Sequence, residues 1–435
     1  MQPCPAMTQG PLLRIESVYI HPRDEEGMWG GWVDSPKADD ATDLYSLEVR
    51  GWALGRTSRA VAIEFLHAGQ PLGRVPINLA RPDIPKAFPE AADALQSGFR
   101  ASLNLVLLPM VADVFIQAVL ADDTRVPLAV ISVRRRPIAS DFQPQLQPFL
   151  VTTLDDAGSS WLMRVLGEHP QITAYRPSEF EPQMLAHCLT MLENFADPVR
   201  CARALTGEPG RGECRNASIV QPPVEIRDPA IQRWLGHGNI AATASFAMRR
   251  ADDFYTEVAR MQGKVGAVFF AEKCGPGSCV PDLARELCAG AKEVILVRDL
   301  RDAVCTTLSP EEKGGGATRD RSLIRQLRAP AVRLLEAWRE RGNAAHFLRC
   351  EDLVLRPEAT LRSLLEYLGL DAEAATISAM LARARSSAGD VFPKSIGRWR
   401  SALDETSQRE CADAFGDLLE QFGYSASMQT RPAIR

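Results

Sequence analysis

Near Arg134 the hydrophobic period of the sequence changes, and that change constrains the fold more than any single motif. From Leu12 to Val133 apolar and polar residues alternate: Leu47, Val49, Gly51 and Ala53 interleave with Glu48, Arg50 and Trp52. Phe99, Ala101, Leu103 and Leu105 do the same with Arg100, Ser102 and Asn104. A two-residue repeat sends successive side chains to opposite faces of a strand. Val61–Leu66 and Leu72–Val75 flank a His67-Ala-Gly-Gln-Pro turn, the pattern of a hairpin. Short strands at this spacing predict an all-β sandwich, Ig-like, over residues 1–136, with Pro82 to Ala94 as a short helical or irregular insert.

Arg134-Arg-Arg-Pro137, Pro144 and Pro148 end the alternation, so residues 137–147 read as a linker. Beyond it, apolar runs at Phe149–Leu154, Ala267–Ala271, Glu293–Val297 and Ala345–Leu348 are separated by long helical patterns. In one of these, Leu323, Leu327, Leu334 and Trp338 recur at helical spacing beside Ile324, Ala331 and Leu335. Fully apolar strands alternating with helices predict an α/β domain over 148–425, a largely parallel sheet flanked by helices, and then a tail at 426–435.

At 435 residues the chain is long enough for two or three domains with cores of their own. A formal charge of −5 carries no general attraction for nucleic acid or anionic lipid, so any anion site must be local. The ten cysteines form no Cys-x-x-Cys pair and no zinc-ligand spacing, which predicts reduced thiols, no metal site and a cytoplasmic protein. No uninterrupted apolar segment reaches transmembrane length, and Met1 to Leu13 lacks the pattern of a secretory leader.

Two segments carry chemistry. The first strand of the α/β region runs into Asp155-Asp-Ala-Gly-Ser-Ser160, after which Trp161, Leu162, Val165 and Leu166 begin a helical pattern. Such a turn aims backbone N–H groups and the positive end of a helix dipole at one point, where an oxyanion fits. Gly158 lets the backbone approach a ligand, and Ser159 and Ser160 add hydroxyl donors; an ordinary serine-capped helix start reads the same way. Gly-Lys-Ser/Thr is missing, so this is not a Walker A loop. In the second segment Arg298 follows a buried strand, at the sheet edge where ligands of open α/β folds bind. Asp299 is expected to cap the next helix, and Arg301 and Asp302 to be surface or salt-bridge residues.

Together these segments resemble the sulfotransferase family, from about Phe149 to Tyr424. AGSSWL at 157–162 is similar to the end of the family's 5′-phosphosulfate loop, PKSGTTWL or PRSGTTxL, and Glu168-His-Pro170 to the helix end after it. VRDLRD at 297–302 resembles the 3′-phosphate segment VRDPRD, with Thr306 for its downstream serine. LRCEDLVLRPEATLRSLLEYLGL at 348–370 resembles the YEDL segment and its helix, and GRWRSAL at 397–403 the C-terminal segment that closes over the nucleotide.

The resemblance implies a P-loop-like fold and metal-free transfer of a sulfuryl group from 3′-phosphoadenosine-5′-phosphosulfate to an acceptor hydroxyl or amine. It implies that Gly158, Ser159, Ser160 and Trp161 hold the 5′-phosphosulfate, and that Arg298 and Thr306 hold the 3′-phosphate. Lys394, Gly397 and Arg398 would lie near the nucleotide, and Lys273 would reach the sulfuryl group, a surface lysine being the alternative. Glu179, with Glu181 as substitute, is implied as general base; either also suits the first turn of the next helix. His169 is expected to partner a helix dipole, with His187 and His237 left open as bases.

The chain departs from the family pattern at four places. Asp156 stands where a lysine or arginine is usual, Asp155 for proline or glycine, Leu300 for proline, and Cys350 for the tyrosine of YEDL. Two unit charges ~4 Å apart interact by about 4 kcal/mol at an effective dielectric near 20, so Asp156 calls for a compensating cation: Lys273, Arg164 or Arg176. A catalytically weak nucleotide- or acceptor-binding descendant is therefore a second reading, and a nucleotide-dependent kinase a third. Trp29, Trp32 and Trp52 could stack on sugar rings, although core or turn tryptophans are the commoner case. The N-terminal region also resembles β-sandwich modules attached to bacterial glycan-modifying enzymes, which implies a saccharide or glycolipid among small-molecule acceptors.

Overall fold

The computed structural model describes residues 10–24, 26–154, 158–175, 183–196, 219–220, 228–307, 317–388 and 396–425. The chain divides into two compact units, Met1–Phe142 with His187–Ala247, and Gln143–Ala186 with Met248–Arg435. In chain order the first strands are β1 Leu13–Ile20, β2 Met28–Ser35, β3 Ala41–Thr42, β4 Ser46–Gly55 and β5 Ala60–His67. There follow β6 Gln70–Pro76, β7 Gly98–Asn104, β8 Val111–Leu120, β9 Arg125–Arg135, β10 Gln147–Thr153 and β11 Ile172–Ala174. The last are β12 Ile219–Val220, β13 Phe269–Cys274, β14 Lys292–Val297 and β15 His346–Arg349.

The first unit is built from two antiparallel sheets, ordered β3-β1-β9-β8-β5-β6 and β12-β7-β4-β2. Alternation sets their inner faces. Ala112, Val114, Ile116 and Ala118 of β8 point inward and join Ile63 and Phe65 of β5, Val49 of β4 and Leu103 of β7 in one core. Phe65 and Phe99, from opposite sheets, meet edge to face at 6.5 Å, which is the sandwich that the repeat predicts. The expected hairpin joins β5 to β6 through Ala68 and Gly69, both at positive φ (45° and 71°), the turn whose twist matches the strands. The insert after β6 supplies a short helix, Ile84–Ala87, which with Leu54 and Ala94 forms a separate cluster against Trp29, Trp52 and Phe88.

In the second unit the five strands β11-β13-β10-β14-β15 pair in parallel throughout. Their continuous apolar runs follow from cover on both faces. Phe149, Val151, Val294 and Leu296 bury against Leu162, Val165, Leu361 and Leu364 on one side. Leu154, Ile295 and Val297 bury against Val304, Leu334 and Phe415 on the other. Each such side chain is worth roughly 1.5–3 kcal/mol on burial, so both helical layers hold the sheet. No helix among the described residues is long and apolar enough to cross a membrane.

The strand order positions the site. From β10 the chain leaves toward β11 at one sheet edge, and from β14 it leaves toward β15 at the other. Because β10 and β14 are neighbours, with Thr153 opposite Leu296, their departing loops diverge and leave a crevice at the carboxyl ends. Both sequence segments singled out above lie there.

Candidate functional site

On the β10 side Gly158 adopts a left-handed conformation, φ 81°, and is the N-cap of the helix Ser159–Leu166. A glycine takes this turn without strain. Gly158 has no side chain to cap the helix, and Ser159 is its first residue rather than its cap, so the serine-capped alternative is not formed. Helix N–H groups without a side-chain acceptor are what an anion requires. Ser159 is buried and Ser160 exposed.

From the adjacent strand β13, Lys273 places Nζ 3.4 Å from Ser160 Oγ. The lysine is half-buried. Its neighbour Glu272 is 1% exposed and accepts hydrogen bonds from the Leu185 and Ala186 N–H groups (2.9 and 3.1 Å) and the Tyr255 hydroxyl (2.7 Å). Glu272 thereby caps the helix Met184–Ala196 from a distant strand. Burial beside Glu272 holds the Cys274 thiol well above its ordinary pKa, so it is no nucleophile.

On the β14 side Arg298 is buried directly after the strand. Asp299 accepts from the Arg301 N–H (3.0 Å), the cap expected from sequence, and pairs with both Nε (2.9 Å) and Nη2 (2.8 Å) of Arg301. The Asp299 N–H donates to Glu351, which also accepts from the Tyr424 hydroxyl at 2.6 Å. Burial raises the Glu351 pKa above the usual carboxylate value.

Arg301 is the salt-bridge residue expected, paired with Asp299, while neither it nor Asp302 lies at the surface: they are 4% and 1% exposed. The guanidinium of Arg301 lies 4.0 Å from the Trp399 ring, and Arg400 lies 4.5 Å from it. Asp302, in the first turn of the helix Leu300–Thr307, accepts the Gly397 N–H at 2.6 Å and the Trp399 N–H at 2.9 Å. Burial pushes its carboxyl up to about 6, against the lowering effect of those two bonds and of Arg298. The helix thus collects Arg298 from the sheet and Gly397 and Arg398 from the C-terminal segment.

Thr306 lies in this helix by its backbone, its side chain being outside the described residues, as are Glu179, Glu181, Arg176, Asp155, Asp156 and Lys394. Trp161 and Arg164 are half-buried in the helix after Gly158, and Cys350 is buried at the start of Cys350–Leu355 with its thiol pushed up to about 12. His169 does not partner a helix dipole as a cation. It is fully buried, Nδ1 accepts the Gln171 N–H at 3.1 Å, and Nε2 donates to the Asp371 carbonyl at 3.2 Å. Burial lowers its pKa below the ordinary imidazole value. His187 and His237 belong to the first unit, where His237 Nε2 is 3.4 Å from Asp43. Sequence reasoning passed over Glu272, although an acid within an apolar strand is the signal that could have found it.

The first unit carries an aromatic cavity of about 250 Å³, lined by Trp29, Trp32, Trp52 and Phe88 with His21, Arg23 and Asp24 beside them. Trp32 is 51% exposed and stands opposite Trp52 in the β2–β4 ladder. Trp29 and Trp52 are half-buried, so the three tryptophans divide between packing and cavity lining.

A profile described as the sulfotransferase family matches residues 148–374. No curated protein sequence matches the chain. Among solved structures, the chain is similar to the sulfotransferase domain of the olefin synthase of Synechococcus PCC 7002, at 18% identity over 67% of this chain and 99% of that one, TM-score 0.39. It is also similar to sulfotransferase STF9 of Mycobacterium avium, at 14% identity over 65% and 78%, TM-score 0.36. A mouse sulfotransferase, SULT7A1, solved with PAP shows 10% identity over 64% and 86%, TM-score 0.34.

Proposed function

Since the chain belongs to the sulfotransferase family, we propose that it transfers a sulfuryl group from 3′-phosphoadenosine-5′-phosphosulfate to the hydroxyl of an acceptor. The observation that carries this reading is the approach of Lys273 Nζ to Ser160 Oγ at a helix start whose N-cap is a glycine. A cation, a hydroxyl and backbone N–H groups converge where the bridging oxygen of a leaving 5′-phosphate would gather charge.

In the reaction the acceptor oxygen bonds to sulfur while the bond between sulfur and the 5′-phosphate oxygen breaks. Charge grows on that bridging oxygen, so donors already in place there lower the barrier more than those that bind both states equally. Lys273, Ser159, Ser160 and the Gly158 turn take this role, with Trp161 behind them. Arg298, Thr306, Lys394, Gly397 and Arg398 hold the 3′-phosphate end, and Glu179 removes the acceptor proton. Lys273 also supplies the cation that Asp156 fails to provide, which favours an active enzyme over a weak descendant.

A saccharide is the acceptor class favoured by the Trp32 cavity, since indole faces stack on sugar rings while Arg23 and Asp24 suit their hydroxyls. A reducing, cytoplasmic setting fits cysteines of which Cys274, Cys288, Cys305 and Cys350 carry reduced, buried thiols. Incubation with donor labelled in the sulfuryl group and a panel of sugars, alcohols and phenols tests the reading. Label should appear on one hydroxyl class without added metal; PAP binding with no transfer to any acceptor favours the weak descendant, and no PAP binding removes the proposal.

A further inference from the structure

We propose that Asp302 is a positioning residue for the donor nucleotide: from the helix beside the sheet it holds the C-terminal segment so that Arg398 faces the same ligand as Arg298. This rests on the reading of Gly397 and Arg398 as nucleotide-binding residues.

The geometry is that of a two-point clamp. One carboxylate oxygen accepts the Gly397 N–H and the other accepts the Trp399 N–H, on either side of Arg398. Anchoring both neighbours of a residue fixes its backbone, and with it the direction in which its side chain leaves. Charge-assisted hydrogen bonds are the strong kind, and a carboxylate only 1% exposed makes them in place of its water. Gly397 takes a left-handed conformation, φ 67°, that turns its N–H into the clamp.

The rest of the segment depends on the same contact. Trp399 is 2% exposed, and its indole N–H has no hydrogen-bond partner among the described residues. It is held by its stack with Arg301 and Arg400 and by its backbone bond to Asp302. Arg298 and Arg398 both oppose the burial that raises the Cys305 pKa, one turn along the helix from Asp302, which fits two cations near that helical turn. Two converging arginines suit a dianionic phosphate, and either alone leaves part of its charge unmet.

The test compares wild type with Asp302→Asn in the full chain. Asparagine keeps the shape and one accepting oxygen but loses the second acceptor. The clamp predicts that the dissociation constant for PAP, by titration calorimetry, and the donor KM rise at least tenfold, while kcat at saturating donor stays within twofold. A structural role alone would lower thermal stability and leave donor affinity in the folded fraction unchanged. Unchanged PAP affinity in a folded variant overturns the proposal.

Amide exchange of the ligand-free wild type needs no variant. Gly397 and Trp399 should be protected to a degree near that of the following helix, and exchange at free-peptide rates would overturn the clamp. Should wild type bind no PAP, the donor reading fails and with it this use of the clamp, whereas intact PAP binding with an unaffected Asp302→Asn variant removes the clamp alone.

Discussion

Lys273 and Ser160 stand 113 residues apart in sequence, yet Nζ of one lies 3.4 Å from Oγ of the other because β13 and β10 are hydrogen-bonded neighbours. The contact puts a cation at the start of a helix that already favours an anion. Lys273→Met keeps most of the side-chain volume and removes the charge. Turnover should fall about 10²–10³-fold, the usual loss on removing one donor from a developing oxyanion, with PAP affinity changed much less. Steady-state kinetics beside calorimetric PAP titration measures both, and equal losses in the two would move Lys273 from the transition state to ground-state binding.

Arg298→Ala should weaken PAP binding by roughly 1.5–3 kcal/mol, the scale of a hydrogen bond to a charged group. Glu179→Gln should instead lower turnover about 10²–10⁴-fold with PAP binding nearly intact. Undiminished turnover in the second variant would send the search for the base elsewhere.

Asp302 sets a pH dependence whose sign follows from burial. Its folded pKa of about 6 exceeds the unfolded value near 3.9, so the folded state holds the proton more tightly. The contribution to stability is therefore complete below about pH 4 and is lost as pH rises through 6, by up to about 3 kcal/mol. Asp302→Asn abolishes the titration. Its melting temperature relative to wild type should climb between pH 4 and pH 7, and a flat difference across that range would show that Asp302 does not titrate there.

Glu272 joins a strand, a helix start and a tyrosine through three hydrogen bonds. Tyr255→Phe removes one donor and should cost about 1 kcal/mol, whereas Glu272→Ala strands two helix N–H groups and should cost about 2–5 kcal/mol. Chemical denaturation of both variants measures the order, and a larger cost for Tyr255→Phe would contradict it.

Trp32 is half-exposed, so Trp32→Ala should change stability by no more than about 0.5 kcal/mol. If the cavity of the first unit holds a saccharide, the same change should abolish glycan-array binding by the full chain. Retained binding would leave the cavity without that role.

Much of the fold was legible in the sequence. In the first unit each strand has one face in the core, which writes a two-residue repeat; in the second the sheet is covered on both faces, which writes apolar runs. Ile172–Ala174 escaped because three residues display no period, and its place in the sheet comes from pairing with β13. The two candidate loops at the carboxyl ends of β10 and β14 drew notice in the sequence because glycine, serine and arginine at a strand end carry their meaning locally. Asp302 was not: an acid in a first helical turn looks the same whether it faces water or accepts two N–H groups from residues 95 and 97 positions later.

The sequence by itself determined where most strands and helices form and which loops follow the strand ends as candidates for a site, since those properties depend on residues within a few positions of one another. Only the tertiary structure decided that Lys273 meets Ser160, that Glu272 caps a remote helix and that Asp302 clamps the C-terminal segment. The physical reason is that a buried charge takes its partner from whatever segment the packing brings beside it, and chain order does not encode that segment.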